Sequence, residues 1–334
     1  MRTTRTAIVL TALLALSLSG CSRGGTQTSA TGTAPASGKK DATIIMSTLG
    51  NPFFISVKDG AEAQAAKSGI TLNVQNADNS DATFLNQATT AISKQTGILI
   101  LDPVGSQSAI TSVTQANSAS IPVMAFDRKP SGGNLATFVG YNAVQAGKNA
   151  ADALAKAVGG KGKVVEIQGI LGTNVAQDRS KGFQQQIATY KDITVVAQQA
   201  ADFDRAKALN VMTNVLQANP DIDGVYAAND EMAMGVLSAI KARNLVGKIK
   251  LVGNDGIADA LAAVAAGEMY ATNAESPYAL GQKVVSLAGD VLSGKQVRGD
   301  ETLEGQLVTK ETVKKYAEYL LGIGDSASVP ANLK

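Results

Sequence analysis

The sequence predicts an α/β protein folded as two doubly wound parallel-sheet lobes, and three observations carry that prediction. Ten short apolar runs alternate along the chain with Ala-rich amphipathic stretches, the rhythm of parallel strands covered by helices on both faces. Ten strands exceed one comfortable sheet, so two lobes are the natural arrangement and a single large sheet the alternative. The length of 334 residues, with 45% hydrophobic and 17% charged side chains, suits a globular chain of about two domains.

The N-terminus comes first. Arg2 and Arg5 precede an apolar run at 7–18, short for a transmembrane helix and right for the core of an export signal. The run ends in Leu18-Ser19-Gly20-Cys21, which resembles the lipobox of bacterial lipoproteins. That resemblance implies a signal peptide over 1–20 and lipidation of Cys21, the only cysteine. A free or buried Cys behind an ordinary export signal is the plainer alternative. Removal of 1–20 would balance acidic and basic side chains at 28 each, so nothing global suggests a nucleic-acid partner. Residues 21–40 are mostly Ser, Gly, Thr and Ala, which cannot bury enough surface to offset ordering entropy. They are expected to form a flexible tether, with the fold starting near Asp41.

From there the strands are expected at 43–46, 71–74, 98–101, 122–126, 137–139, 163–167, 194–197, 224–228, 249–252 and 270–273. Helices are expected at 52–67, 81–94, 106–119, 143–158, 174–190, 204–218, 230–242 and 277–292. Past Lys310, Val313, Tyr316 and Leu320 have helical spacing, which predicts one more helix packed on the body.

Open parallel sheets bind ligands outside the carboxyl ends of their strands. The residues there include Asn51-Pro52-Phe53-Phe54, Asp102-Pro103, Asp127-Arg128, Asn229-Asp230 and Asn254-Asp255. Singly, Asn and Asp are explained by turns and helix N-caps. Recurring at one edge, they suit the recognition of neighbouring hydroxyls, with carboxylates accepting and amide and guanidinium groups donating. Phe53, Phe54 and Phe203 offer flat apolar faces for a stacked ring, the alternative being that they belong to lobe cores.

Composition excludes several chemistries. The chain has no His, which removes Ser-His and Cys-His nucleophile pairs and His-based metal sites. Carboxylate and lysine chemistry survive, so an enzyme is disfavoured without being forbidden. No Gly-Lys pair is followed by Ser or Thr, and Gly159-Gly160-Lys161-Gly162 lacks the dinucleotide fingerprint. Asp221-Ile222-Asp223-Gly224 fails the EF-hand spacing and reads as a turn. No catalytic residue, cofactor or metal is therefore expected.

Six segments together resemble the periplasmic ribose-binding proteins, type I solute-binding proteins of ABC sugar importers, over about 42–310. They are the 47–54 segment Ser-Thr-Leu-Gly-Asn-Pro-Phe-Phe, Phe126-Asp127-Arg128, Asp178-Arg179-Ser180-Lys181-Gly182-Phe183, Ala201-Asp202-Phe203-Asp204-Arg205, Ala228-Asn229-Asp230-Glu231-Met232-Ala233 and Val252-Gly253-Asn254-Asp255-Gly256. The resemblance implies a hinge of three crossings, near Tyr141-Asn142, Glu275-Ser276 and Gly305. One lobe would comprise 41–141 plus 276–305, and the other 142–275 plus 306–334. It implies a sugar held between them by Asn51, Phe53, Phe54, Asp127, Arg128, Arg179, Phe203, Asn229 and Asp255, with Glu275 as a further contact. The implied role is binding without turnover by a monomer, and delivery of a pentose, ribose first, to a permease and its ATPase. Another small sugar or polyol, or a sugar-responsive regulator, is the alternative. A regulator would need an N-terminal helix-turn-helix where this chain has an export signal.

Two departures from the family pattern bear on the site. The chain has Glu275 where these proteins usually carry Gln, and Asn254 where they usually carry Phe. Asp127, Asp255 and Glu275 against Arg128 and Arg179 leave one excess negative charge, costly in a closed cleft. Glu275 is expected to be protonated, to pair with a further cation, or to accept from a differently placed hydroxyl. A solvent-facing Glu275 at the hinge is the plain alternative.

Overall fold

A computed structural model describes residues 38–297 and 299–334. The expected export signal over 1–20, Cys21 and most of the expected tether lie outside the described residues. The chain forms two six-stranded sheets rather than one large one. The first is built from β1 (Asp41–Met46), β2 (Thr71–Asn76), β3 (Ile98–Leu101), β4 (Val123–Phe126), β5 (Thr137–Tyr141) and β11 (Glu301–Leu303), in the order β11-β5-β4-β3-β1-β2, all parallel. The second takes β6 (Lys161–Gln168), β7 (Asp192–Ala200), β8 (Gly224–Ala227), β9 (Lys250–Asp255), β10 (Ala271–Ala274) and β12 (Gln306–Thr309), in the order β12-β10-β9-β8-β6-β7. Only β12 runs antiparallel there.

Helices α1 (Pro52–Ser68), α2 (Asp81–Ser93) and α3 (Ile110–Ser118) connect strands of the first sheet. In the second lobe the helices are α4 (Ala143–Ala157), α5 (Asn174–Ile187), α6 (Arg205–Ala218), α7 (Asp230–Ala242) and α8 (Ala258–Ala266). The chain then adds α9 (Pro277–Leu292) and α10 (Val313–Ile323). Strands β3, β4 and β8 are buried at every position, as strands covered on both faces must be.

All ten expected strands are present, and α10 forms where the spacing of Val313, Tyr316 and Leu320 places it, with all three buried. Four elements differ from expectation. Strands β11 (ETL) and β12 (QLVT) are short, polar edge strands without the continuous apolar run that marks the equally short buried strands. Helix α8 reads ADALAAVAA, apolar almost all round, so it has no stripe to recognise. Helix α3 starts at Ile110 rather than 106, because 105–109 form a turn.

The chain crosses between the sheets at three places: after Tyr141, after Ala274, and between Leu303 and Gln306. The last crossing demands Gly305, since a Cβ there would stand 2.7 Å from the Asn273 side-chain nitrogen. The crossings are tied to one another. The Asn142 backbone N–H donates to the Leu303 carbonyl at 2.9 Å, and the Tyr141 hydroxyl bonds both the N–H and the carbonyl of Ser276, at 2.8 and 3.0 Å.

In each lobe two helices meet without intervening side chains. A Cβ on Gly60 of α1 would lie 2.0 Å from the Tyr278 carbonyl of α9, and one on Gly147 of α4 would lie 2.0 Å from the Arg179 carbonyl of α5. The second seam fixes the backbone that carries Arg179.

Candidate functional site

Two helix starts bring their caps to one cavity. Asn51 caps α1 by accepting from the Phe53 N–H at 2.9 Å, and Asn229 caps α7 by accepting from the Met232 N–H at 3.0 Å. Capping consumes the side-chain oxygen of each, which leaves an amide donor to offer to a ligand. The capping and ligand-holding readings of these residues are therefore compatible.

The turns supply the rest of the lining. Asp127 and Phe203 adopt φ of 53° and 59°, and Asp255 φ of 126°, all unusual for residues with a side chain. Such backbones cost of order 1–3 kcal/mol each and aim the side chains where a relaxed turn would not. Phe203 also needs Gly169 beside it, because a Cβ on Gly169 would lie 2.1 Å from the ring. Phe53 and Phe54 pack edge to face at 5.2 Å, both nearly buried.

Nine sequence-predicted residues, Asn51, Phe53, Phe54, Asp127, Arg128, Arg179, Phe203, Asn229 and Asp255, line one cavity of about 260 Å³. Val175 completes the lining. Both sheets contribute through the ends of their strands, so the cavity lies between the lobes. The Arg128 guanidinium stands 5.4 Å from the Phe54 ring centre and 5.6 Å from that of Phe203, spanning the cleft. The mouth is closed by three hydrogen bonds: Ser106 N–H to the Gly172 carbonyl (3.2 Å), Asn174 N–H to Ser106 Oγ (3.2 Å) and Lys129 N–H to Asn174 Oδ1 (2.8 Å).

Glu275 is the exception. It is absent from the cavity lining and 1% exposed, and both of its carboxylate oxygens accept from Arg179 Nη2 at 3.0 and 3.1 Å. Its cation is thus Arg179, which the sequence had already counted, and a direct ligand contact is replaced by a place behind the arginine. Asn254 donates to the same carboxylate at 3.1 Å and accepts from Asn273 at 3.2 Å. A Phe at 254 could make neither bond.

The charge count also changes. Asp102 is fully buried, with its Oδ2 held by the Ser47 N–H (2.9 Å) and hydroxyl (2.5 Å) and its Oδ1 3.8 Å from Arg128 Nε. With Asp127, Asp255 and Glu275 it makes four carboxylates against two guanidinium groups. Burial pushes the Asp102 carboxyl up to about 7, against the pull of Arg128. Burial likewise raises Asp127, Asp255 and Glu275, with nearby guanidinium groups opposing the shift. For Arg179, burial disfavours the cation, but Glu275 and Asp255 outweigh it and raise its pKa.

Arg128 Nε and Arg179 Nε are buried with no hydrogen-bond partner, as is Asp102 Oδ1. Buried donors of this kind are costly unless an acceptor completes them. An acceptor oxygen in the cavity would do so. Two participants escaped the sequence reading. Val175 carries no chemical signal, whereas Asp102 stood visibly at a strand exit without a partner to single it out.

Comparison with known proteins agrees with this arrangement. A sequence profile described as a periplasmic binding protein domain matches residues 42–296. The chain belongs to the periplasmic binding protein family. The ribose import binding protein of Salmonella typhimurium is 41% identical to this binding protein over 283 residues, 85% of this chain and 95% of that one. The D-allose-binding periplasmic protein of Escherichia coli is 34% identical over 277 residues, 79% of this chain and 89% of the relative. Among solved structures, a periplasmic solute-binding protein from Actinobacillus succinogenes with bound D-allose superimposes with a TM-score of 0.80 at 32% identity, covering 83% of this chain and all of that one.

Proposed function

We propose that the protein captures a pentose, ribose first, between its lobes and delivers it to the permease and ATPase of an ABC importer. The observation that carries this reading is the convergence of nine residues from both lobes on one small cavity, with two buried guanidinium N–H groups awaiting acceptors. The aromatic faces of Phe53, Phe54 and Phe203 suit a sugar ring, while Asn51 and Asn229 donate and Asp127 and Asp255 accept. Four carboxylates against two guanidinium groups favour a neutral ligand over a sugar acid or phosphate. The 41% identity to a ribose import binding protein supports ribose within that class.

Binding and release require no bond to break, and the chain has no His to move a proton. Delivery fits an extracytoplasmic monomer anchored through lipid on Cys21, although no helix among the described residues is long and apolar enough to cross a membrane. A thermal-shift screen of the purified protein against pentoses, allose, myo-inositol and xylitol tests the reading. Ribose at a thousandfold excess over its dissociation constant would stabilise the protein by about 4 kcal/mol. No shift with any of these ligands would contradict it.

A further inference from the structure

Residues 311–334 lie beyond the 42–296 stretch that the family profile matches, and they bind to both lobes. The attachment to the second lobe is α10. It buries Val313, Tyr316, Ala317 and Leu320, and the Tyr316 hydroxyl donates to the Glu275 main-chain carbonyl at 2.9 Å. The attachment to the first lobe is Asp325, 2% exposed. Its Oδ2 accepts from the Ser56 hydroxyl of α1 at 2.9 Å, while its Oδ1 accepts from the Ser328 N–H at 3.2 Å. Val329 is buried just beyond.

Between these two anchors lies the hinge. Tyr141, Ser276, Leu303, Gln306, Tyr316 and Tyr319 line a hollow of about 950 Å³ that touches all three crossings. The hollow borders all three crossings, and hinge rotation needs only a few such residues to change their backbone angles. A segment seated on both lobes across that hollow fits the lobe arrangement seen here, so a different arrangement strains one of its two seats.

The geometry points to a strap: residues 311–334 buckle the two lobes together on the hinge side and favour the closed form, with Asp325–Ser56 as the clasp. The closed mouth and the seated clasp occur together in this structure. The strap also reaches the ligand site through one residue. Tyr316 holds the carbonyl of Glu275, whose carboxylate holds Arg179, so the same crossing residue is gripped from the hinge side and from the cleft.

The test measures the distance across the cleft mouth in the full-length chain. Spin labels on Gln107→Cys and Leu171→Cys, both exposed, report lobe separation once Cys21→Ser removes the native thiol. Without sugar, Ser56→Ala and Asp325→Ala are expected to move a measurable fraction of molecules from the short distance to a longer one. Added ribose should restore the short distance, with its affinity reduced about three- to tenfold, the loss expected for one hydrogen bond of ordinary strength. Ser56→Ala deletes a single hydroxyl, so it guards against a misfolded Asp325 variant. Distance distributions and affinities that superimpose on those of the parent, even if thermal stability falls, would overturn the strap. The sugar-free distances do not depend on which sugar binds. A failure of ribose to bind would therefore count against the proposed function and leave this comparison decisive.

Discussion

Arg128 and Arg179 enter the same cavity from different lobes and are held in different ways. Arg179 is clamped: Nη1 donates to the Ala228 carbonyl at 2.9 Å and lies 3.4 Å from Asp255, Nη2 is bound by both oxygens of Glu275, and the glycine seam of α4 and α5 fixes its backbone. Arg128 has one long hydrogen bond, 3.4 Å to the Pro103 carbonyl, and two carboxylates at 3.8 Å. The second lobe therefore presents a preorganised half-site, while the first presents one whose guanidinium has room to settle on the ligand. Preorganisation reduces the ordering cost of binding, and the looser half lets closure respond to what has been bound.

The comparison is broken most severely at Arg179. Replacing it with Leu strands Glu275 and Asp255 as buried, unpaired carboxylates, so urea unfolding is expected to show a loss of about 3–5 kcal/mol. Arg128→Leu removes one long hydrogen bond, two ion pairs at 3.8 Å and the contacts with the Phe54 and Phe203 rings, but leaves Asp102 its two bonds from Ser47, so it should cost less stability, while weakening ribose binding about 10- to 100-fold. Equal destabilisation by the two substitutions would contradict the clamped and loose assignment.

Acid acts on both halves alike. Burial holds Asp102, beside Arg128, at about 7, and holds Asp230, which accepts from the Gly256 and Ile257 N–H groups and Thr272, at about 7 as well. Their unfolded values lie near 4, so between about 4 and 7 the folded chain keeps protons that the unfolded chain has released. These groups therefore add stability as pH falls from about 7 toward 4, by up to about 4 kcal/mol apiece. Urea unfolding between pH 5 and 7.5 should show this rise on acidification, and Asp102→Asn should flatten it. An unchanged slope in that variant would place the titration elsewhere.

The stacking wall comes third. Gly169→Ala pushes a methyl into the Phe203 ring, and Phe203→Ala deletes that ring. Both are expected to weaken ribose binding, the deletion about tenfold, as loss of one aromatic contact does. Calorimetric titration of the two variants checks this, and parent-like affinity in Gly169→Ala would show that Phe203 does not need its present position. The smallest effect is expected at Glu275→Gln. It sits behind Arg179 rather than in the cavity, so ribose affinity should shift less than tenfold. Binding of ribonate should improve relative to ribose, because one negative charge is gone. A large loss of ribose affinity with unchanged selectivity would restore Glu275 to the ligand.

Much of this could be read from residues alone, and the limits have physical causes. Strand and helix alternation was legible because buried parallel strands are continuous apolar runs. The short β11 and β12 and the uniformly apolar α8 carry no period, so they were not. Most of the cavity residues were legible because strand exits concentrate polar groups, whereas Arg179, inside α5, was indicated only by the family resemblance. Asp102 needed Arg128 beside it to become part of the site, and the pairing of Glu275 with Arg179, 96 positions away, exists only after folding. The mouth contacts of Ser106, Lys129 and Asn174 involve main-chain groups, which every residue has. Ser106 Oγ and Asn174 Oδ1 accept two of these bonds, but lone Ser and Asn residues in turns carry no signal of a partner in the other lobe.

Closure of both lobes on one neutral sugar is the step from which the other expectations descend. Isothermal titration with D-ribose tests it most directly. A single saturable site with one sugar per chain is expected, weakened when either Arg128 or Arg179 is replaced. Heat-silent titrations with ribose and with the other neutral sugars, or binding that survives loss of both arginines, would contradict it.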